Sequence, residues 1–329
     1  MYKYAIIGLG GLGKLHLGNL LRLEQERGDF ALQAICDKRP PQESNVKLNL
    51  GTVDLGSIDF SKYRYYADYK EMLAQEDLDF VISVLPTFMH EEVAVYALEH
   101  GVHIFSEKPM ALTLDACDRM LDAAEKSGKR LMIGQCLRFD PAYRKVRDYI
   151  RTGELGHCYR AEFTRYSPIP GWSKGGWIVD VKLSGGCAFD MHVHDVDLIN
   201  WMFGHPKSLR SAVTEVKLGL ESIFTQYFYD GLLVSSAADW SMPGTFPFEA
   251  RSLFNFEKAT VVVKDDRVTV YQDEETFEAE LDGEDHFLDE MRAFLRMVID
   301  GVDCPDADPA TVRESVKLAR WEIDAADRI

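Results

Sequence analysis

Residues 2–21, YKYAIIGLGGLGKLHLGNLL, decide the fold. An apolar run over Tyr2–Ile7 meets the glycines Gly8, Gly10 and Gly13, and an amphipathic helical pattern opens directly behind them. G-x-G-x-x-G spacing recurs by chance, so its position carries the argument. A tight turn between a strand and a helix lets backbone N–H groups approach a pyrophosphate at the helix N-terminus. The candidate cradle is Gly8, Gly10, Gly11, Leu12 and Gly13. The bland alternative is a strand-to-helix turn that binds nothing.

The same alternation continues outward from this turn. Further strands are predicted at Ala31–Cys36, Phe80–Leu85, His103–Ser106 and Arg130–Gly134, with helical patterns beginning near Gly13, Asp68, Phe88 and Thr113. Short strands alternating with amphipathic helices specify a doubly wound parallel sheet, the Rossmann arrangement. Residues 38–61 carry turn chemistry in PPQESN and GTVDLGS and are assigned to no element. PAYRKVRDYIRTGELG, from Pro141, reads as a linking helix. Beyond it, period-two alternation at 158–166, 208–218, 222–229, 232–240 and 260–271 predicts a largely antiparallel sheet. Asp230-Gly231 and Asp265-Asp266 sit where hairpin turns belong, and helical patterns at Glu284–Asp300 and Pro309–Asp327 close the chain. The expected division is a nucleotide-binding domain over 1–136 and a second, α+β domain over 137–329.

Composition narrows the function. With 54 acidic against 37 basic side chains, the formal charge of −17 repels phosphate backbones and anionic lipid heads. Nucleic acid and membrane surfaces are therefore not expected partners. MYKYAIIGLG carries no long apolar run or small-residue cleavage site, so neither a signal peptide nor a membrane span is read there, and a cytoplasmic location is expected. The six cysteines show no C-x-x-C spacing and are read as reduced and mostly structural.

Asp37 ends the second strand, where a carboxylate accepts hydrogen bonds from both hydroxyls of an adenosine ribose and repels a 2′-phosphate. That favours NAD. Lys38 and Arg39, next along, leave NADP open because a cation there can receive the phosphate.

FSEKPMA places Glu107-Lys108-Pro109 at a strand end, on the carboxyl edge where ligands of such sheets bind. Together with GLGGLG, PTFMH (Pro86–His90), LRFDP (Leu137–Pro141) and GWIVDVKLSGGCAFDMHVHDVD, it resembles the glucose–fructose oxidoreductase, inositol dehydrogenase and rhizopine-catabolism family. The resemblance runs in order through essentially the whole chain. It implies an N-terminal Rossmann domain, a C-terminal substrate-binding domain with an open sheet, and dimers or tetramers assembled through that sheet. The family's lysine falls on Lys108, and its aspartate and histidine, in G-G-x-x-x-x-D-x-x-x-H-x-x-D, fall on Asp190 and His194. His194 points to the inositol-dehydrogenase-like branch, since relatives acting on dihydrodiols or sugar pairs often carry tyrosine there. The chain departs from the pattern at Ile178, where members often carry arginine after the tryptophan matching Trp177.

The 17 residues between Gly186 and Gly204 contain neither glycine nor proline, a run of helix length. On one continuous helix Asp190, His194 and Asp197 share a face, while His192 points away from His194. On a strand, Asp190, His192 and His194 would instead line one face and make a credible metal site; the helical reading disfavours a metal. On the helix, Asp190 can fix the His194 tautomer and leave the other ring nitrogen to take a hydroxyl proton. Lys108 would hold the same oxygen as it becomes a carbonyl. The bland reading of this trio is a capping aspartate, a core histidine and a surface lysine.

Pro86, Thr87 and His90 are candidate cofactor neighbours, with Thr87 read as a helix N-cap and His90 as a nicotinamide neighbour or a cap. Glu107 and Lys108 join them, and Arg138 and Trp177 are candidate substrate contacts, although Arg138 fits a carboxylate partner equally well. His16, His100, His103, His157, His205 and His286 are read as structural. The expected activity is reversible NAD-dependent oxidation of a secondary alcohol of a sugar, polyol or inositol-like compound. The alternatives are redox-assisted glycoside cleavage, in which the cofactor is recycled within each turnover, and a non-catalytic NAD-sensing regulator.

Overall fold

The structure is a computed structural model that describes residues 1–40, 46–48, 51–53, 58–171, 173–215 and 218–329. The chain forms two compact units: Met1–Ala111, Asp115–Gly134 and Phe287–Ala310 make the first, and Leu112–Leu114, Gln135–His286 and Thr311–Ile329 the second. A plain division into 1–136 and 137–329 misplaces Phe287–Ala310, which belongs to the first unit.

The first unit begins with β1 (Tyr2–Ile7), α1 (Gly11–Arg27) and β2 (Phe30–Cys36), followed by the short strands β3 (Val46–Leu48) and β4 (Gly51–Val53). It continues through β5 (Arg64–Tyr66), α2 (Tyr69–Gln75), β6 (Phe80–Ser83), α3 (His90–Glu99), β7 (His103–Glu107), α4 (Leu114–Ser127) and β8 (Leu131–Gly134). Six strands form one sheet in the order β5-β2-β1-β6-β7-β8, and every pairing is parallel. The order reverses beside β1, the switch point at which ligands of doubly wound sheets bind. β3 and β4 pair antiparallel; within the otherwise unassigned 38–61 segment, residues 41–45, 49–50 and 54–57 lie outside the described residues.

Strands β6 and β8 are buried on both faces, as parallel strands under helices must be. Tyr4 stacks on Phe80, and Phe294, from the late helix α9 (His286–Ile299), meets the edges of Phe80 and Phe105. Burying a ring of that size contributes roughly 1.5–3 kcal/mol. That aromatic contact returns the late segment to the first unit.

In the second unit, α5 (Pro141–Thr152) leads into β9 (Cys158–Pro168), and the short helices α6 (Val181–Ser184) and α7 (Gly186–Asp190) precede α8 (Val193–Phe203). Then follow β10 (Ser208–Thr214), β11 (Ser222–Phe228), β12 (Leu233–Met242), β13 (Glu249–Phe256), β14 (Thr260–Lys264), β15 (Arg267–Tyr271) and β16 (Thr276–Glu278). After α9, the chain ends in α10 (Pro309–Asp324) and β17 (Ala326–Arg328). Nine strands form one sheet, β16-β15-β14-β13-β9-β12-β11-β10-β17, antiparallel except where β9 meets β12 and β10 meets β17.

Both expected hairpin turns form. Gly231 takes a φ of +70° between the paired residues Tyr229 and Leu232, and Asp265 and Asp266 take φ values of 50° and 58° between the paired Lys264 and Arg267. Two successive left-handed residues match the twist of the flanking strands, and aspartate tolerates that conformation better than most residues.

β13 was not foreseen. One of its inward positions is the polar Ser252, 1% exposed, whose hydroxyl lies 3.1 Å from the Tyr143 hydroxyl, so the strand shows no clean apolar alternation. One face of the sheet is buried, with Ala161, Phe163, Phe254 and Tyr227 among its residues. On the alternate positions Phe224 is paired with Ala237, and Leu233 with Phe228 and Arg160; Phe224 and Leu233 are exposed.

Candidate active site

The glycine turn requires its glycines. Gly8 sits at a φ of +92°, and a Cβ there would lie 2.3 Å from the Val84 carbonyl oxygen; a Cβ on Gly13 would lie 2.0 Å from the Gly8 carbonyl oxygen. Gly10, the N-cap, has open space where its Cβ would be. Helix α1 has no acidic residue in its first turn, so nothing there offsets its partial positive charge. The N–H groups of Gly11, Leu12 and Gly13 fall where an α-helix supplies no internal acceptor. This is a cradle fit for a pyrophosphate.

Asp37 follows β2 and is half-buried; its Oδ2 accepts the Leu9 N–H at 2.7 Å and its Oδ1 the Arg39 N–H at 3.0 Å. It therefore ties the glycine turn to the end of β2, and each carboxylate oxygen retains a second lone pair for a ribose hydroxyl. Lys38 is exposed beside it.

Pro86 precedes a 3-10 turn, Thr87–Met89, which runs into α3. Thr87 is 5% exposed and lies inside that turn; the N-cap of α3 is Met89 and caps through no side chain. The reading of Thr87 as N-cap is thereby corrected. His90 is buried, with Nδ1 2.7 Å from the Pro109 carbonyl and Nε2 2.8 Å from the Leu85 carbonyl. Burial lowers its pKa against the upward pull of those two carbonyls. Rather than capping α3 with its ring, His90 bridges two loops at the carboxyl edge of the sheet.

Glu107 closes β7 and points inward at 5% exposure. Its Oε1 lies 2.6 Å from His16 Nε2, and its Oε2 accepts the Lys108 N–H at 3.1 Å. The ligand atoms of His16, Glu107 and Glu290 all lie within 4.8 Å of one another, in the first unit. His16, read from sequence as merely structural, is thus bound to the strand end that carries Lys108. No local signal reveals this, because 91 residues separate the partners. Lys108 is half-buried, and its bond to Pro109 is cis.

In the second unit, residues 186–203 are helical but interrupted at Met191-His192, not the single helix expected. The N–H groups of Met191 and His192 both go to the Cys187 carbonyl, at 3.0 and 2.9 Å, which loosens the turn. His192 is fully buried and its Nε2 lies 3.1 Å from Glu322 Oε2; Tyr227 donates to the other oxygen of Glu322. Asp190 and His194 stand on either side of the interruption, both half-buried, while His192, Asp195 and Asp197 are buried. The strand geometry that would have made Asp190, His192 and His194 a metal face is not the one adopted.

Two buried ion pairs fix α8. Asp195 receives Arg165 of β9 at 3.1 and 2.8 Å, and Asp197 receives Arg138 at 2.7 Å through each of two nitrogens. Asp197, expected beside Asp190 and His194, is instead committed to Arg138 and to the Ser315 hydroxyl. Arg138 is 0% exposed and also donates to Thr311, so of its two readings the carboxylate partner is the one found. Trp177 lies half-buried in a turn that precedes α6, next to the fully buried Ile178.

A glycine turn at the switch point of a parallel sheet, with a carboxylate at the end of β2, defines a dinucleotide-binding protein. Residues 2–135 match the family model described as "Oxidoreductase family, NAD-binding Rossmann fold", and residues 143–278 the "GFO/IDH/MocA C-terminal domain". The chain belongs to this family of oxidoreductases, and its first unit is an NAD-binding Rossmann fold. An uncharacterized oxidoreductase, YrbE, of Bacillus subtilis (strain 168) is 33% identical over 64% of this chain and 54% of its own length. The scyllo-inositol 2-dehydrogenase (NAD(+)) of the same organism is 30% identical over 61% of this chain and 54% of its own. The chain thus spans about half the length of the curated relatives it matches. A solved levoglucosan dehydrogenase, in complex with NADH and levoglucosan, shares the fold with a TM-score of 0.82 at 16% identity, covering 98% of this chain and 96% of that one.

Proposed function

We propose that the protein is an NAD-dependent dehydrogenase that oxidises a secondary alcohol of an inositol, other polyol or sugar, reversibly. NAD, when bound, supplies the nicotinamide that accepts the hydride. The α1 N-terminus with Gly8–Gly13 would hold the pyrophosphate and Asp37 the ribose, with Lys38, Pro86 and Thr87 beside the cofactor. Asp37 supports NAD over NADP by its charge. Lys108 would donate to the substrate oxygen and stabilise negative charge on it, His194 would take the hydroxyl proton, and Asp190 would orient the imidazole. Trp177 would border the substrate.

The observation that carries this reading is the pattern of exposure around α8. In a segment whose other ionisable groups are buried and paired, Asp190 and His194 are the two that reach the surface. The resemblance of the chain to the inositol dehydrogenase supports the substrate class. We further infer a small-molecule substrate, a homodimer or homotetramer formed through the open sheet face, and work in the cytoplasm. The six cysteines are free thiols, five of them buried, which suits a reducing compartment. Among the described residues no helix is long and apolar enough to cross a membrane.

The test is reduced-cofactor formation by the purified protein over a panel of inositols, aldoses, sugar acids and glycosides, with NAD and with NADP, alongside release of aglycone. NADH formation with one substrate is expected, and Lys108→Ala and His194→Ala should each lower kcat by roughly 100-fold or more. Aglycone release without NADH, or near-normal turnover in both variants, would overturn the reading.

A further inference from the structure

Two fully buried histidines, on different helices of the first unit, both direct ring nitrogens at the turn that carries Lys108. His16 lies in α1, directly behind the glycine turn, and its ring is wedged edge-on between Phe105 and Phe287 at centroid distances of 5.4 and 5.8 Å. That wedge fixes the ring plane, and Nε2 meets Glu107 Oε1 at 2.6 Å. A carboxylate can only accept, so Nε2 is the donor. The other Glu107 oxygen accepts the backbone N–H of Lys108 at 3.1 Å. A Cβ on Gly134 of the neighbouring strand would lie 3.3 Å from the Glu107 carboxylate, so the carboxylate has little room to turn. His90, at the start of α3, approaches from the other direction: its Nδ1 meets the Pro109 carbonyl at 2.7 Å and its Nε2 the Leu85 carbonyl at 2.8 Å.

We propose that His16 and His90 are positioning residues that hold the Lys108 turn from two sides, His16 through the Glu107 carboxylate and His90 through the Pro109 carbonyl. The proposal rests on the role given to Lys108 above. Neither histidine satisfies itself within its own helix; each instead reaches a backbone or side-chain acceptor within one residue of Lys108. His16 also joins that turn to the helix that opens the dinucleotide cradle, so the cofactor's anchor and the lysine share one rigid frame. The value of such a frame is geometric, since a displacement of about 1 Å at a reacting group can cost on the order of 100-fold in rate. Glu107 accordingly acts on the lysine from inside the unit rather than on the cofactor from its surface.

The experiment compares His16→Leu with His16→Gln and His90→Leu with His90→Gln. Glutamine retains an N–H donor, whereas leucine does not. Four quantities are read: NAD affinity by fluorescence, kcat and KM on the substrate identified above, and the rate at which an amine-acylating reagent labels Lys108 relative to Lys70 by peptide mass spectrometry. The expected result for the leucine variants is a rise in relative Lys108 labelling of about threefold or more and a fall in kcat of about 10- to 100-fold. NAD affinity and KM should stay within about twofold of the parent, and the glutamine variants should recover most of both losses. Folded leucine variants with unchanged Lys108 labelling, or glutamine variants no better than leucine, overturn the proposal. Where His16→Leu does not fold, Glu107→Gln decides in its place, and where His90→Leu does not fold, His90→Phe does: altered Lys108 labelling supports the clamp and unaltered labelling refutes it. Full turnover in Lys108→Ala would instead defeat the role of the lysine while leaving the labelling result standing, so the two failures are distinguishable.

Discussion

Arg138 carries its charge inside the second unit, where Asp197 takes N–H groups from two of its nitrogens and Thr311 an N–H from the third. Removing one member of such a pair strands the other without water, and Asp197→Ala should destabilise the protein by about 3–5 kcal/mol in urea unfolding. A contact made only with substrate would leave that transition unmoved. His103 shows the same dependence on neighbours in its titration. Burial, followed by the charges of Lys129 and Arg130, pushes its pKa down to about 4, and its Nδ1 accepts the Arg130 N–H at 2.8 Å. The unfolded chain, with an imidazole pKa near 6.5, then binds more protons than the folded one between those values. Stability from this group is present above about pH 6.5 and is lost as the pH falls toward about 4. His103→Gln should flatten that acid loss in unfolding curves measured across the same window. Motifs in the sequence nominate Lys108, Asp190, His194 and Arg138, yet they say nothing of a partner 59 residues away, which is the separation of Arg138 from Asp197.

Elements show where local chemistry suffices and where it does not. Asp140 caps α5 by accepting the N–H groups of Ala142 and Tyr143 at 2.8 and 3.3 Å, ahead of Pro141 in the first turn. Asp140→Ala should cost roughly 1 kcal/mol as a cap, measured by thermal unfolding. It should cost more in acid solution than in alkaline, because Asp140 also lies 3.5 Å from His286. Burial opposes the charged imidazole there, but Asp140, with the charges of Asp285 and Asp266, outweighs it and raises the His286 pKa above 6.5, so that contribution is present below the unfolded value and lost as the pH rises through the folded one. Helix α5 is legible in PAYRKVRDYIRTGELG, and the parallel strands in their apolar runs. The interruption at Met191-His192 is not, since nothing in that glycine-free and proline-free run marks a break. At the interruption His192 turns inward to Glu322, 130 residues further on, a partner that no local pattern reveals.

At the scale of the whole molecule, the nine-stranded sheet leaves one face without a covering helix layer among the described residues, with Phe224 and Leu233 exposed upon it. Apolar side chains of this size on an open sheet are what the proposed interface between copies would bury. Phe224→Asp with Leu233→Asp should convert the assembly to monomers in light scattering while preserving NAD binding by the first unit; a parent protein that is already monomeric would refute the assembly. The doubly wound plan of that unit could be read from its alternating pattern, but the placement of α9 could not. Its apolar stripe fits a helix covering either sheet, and the contacts of Phe294 with Phe80 and Phe105 and of Phe287 with His16 identify the one it serves. Those contacts also impose an order on synthesis. A ribosome delivers the cofactor-binding strands first and Phe287–Ala310 only after Gln135–His286, so the nascent first unit waits, with part of its aromatic face open, through the making of most of the second unit.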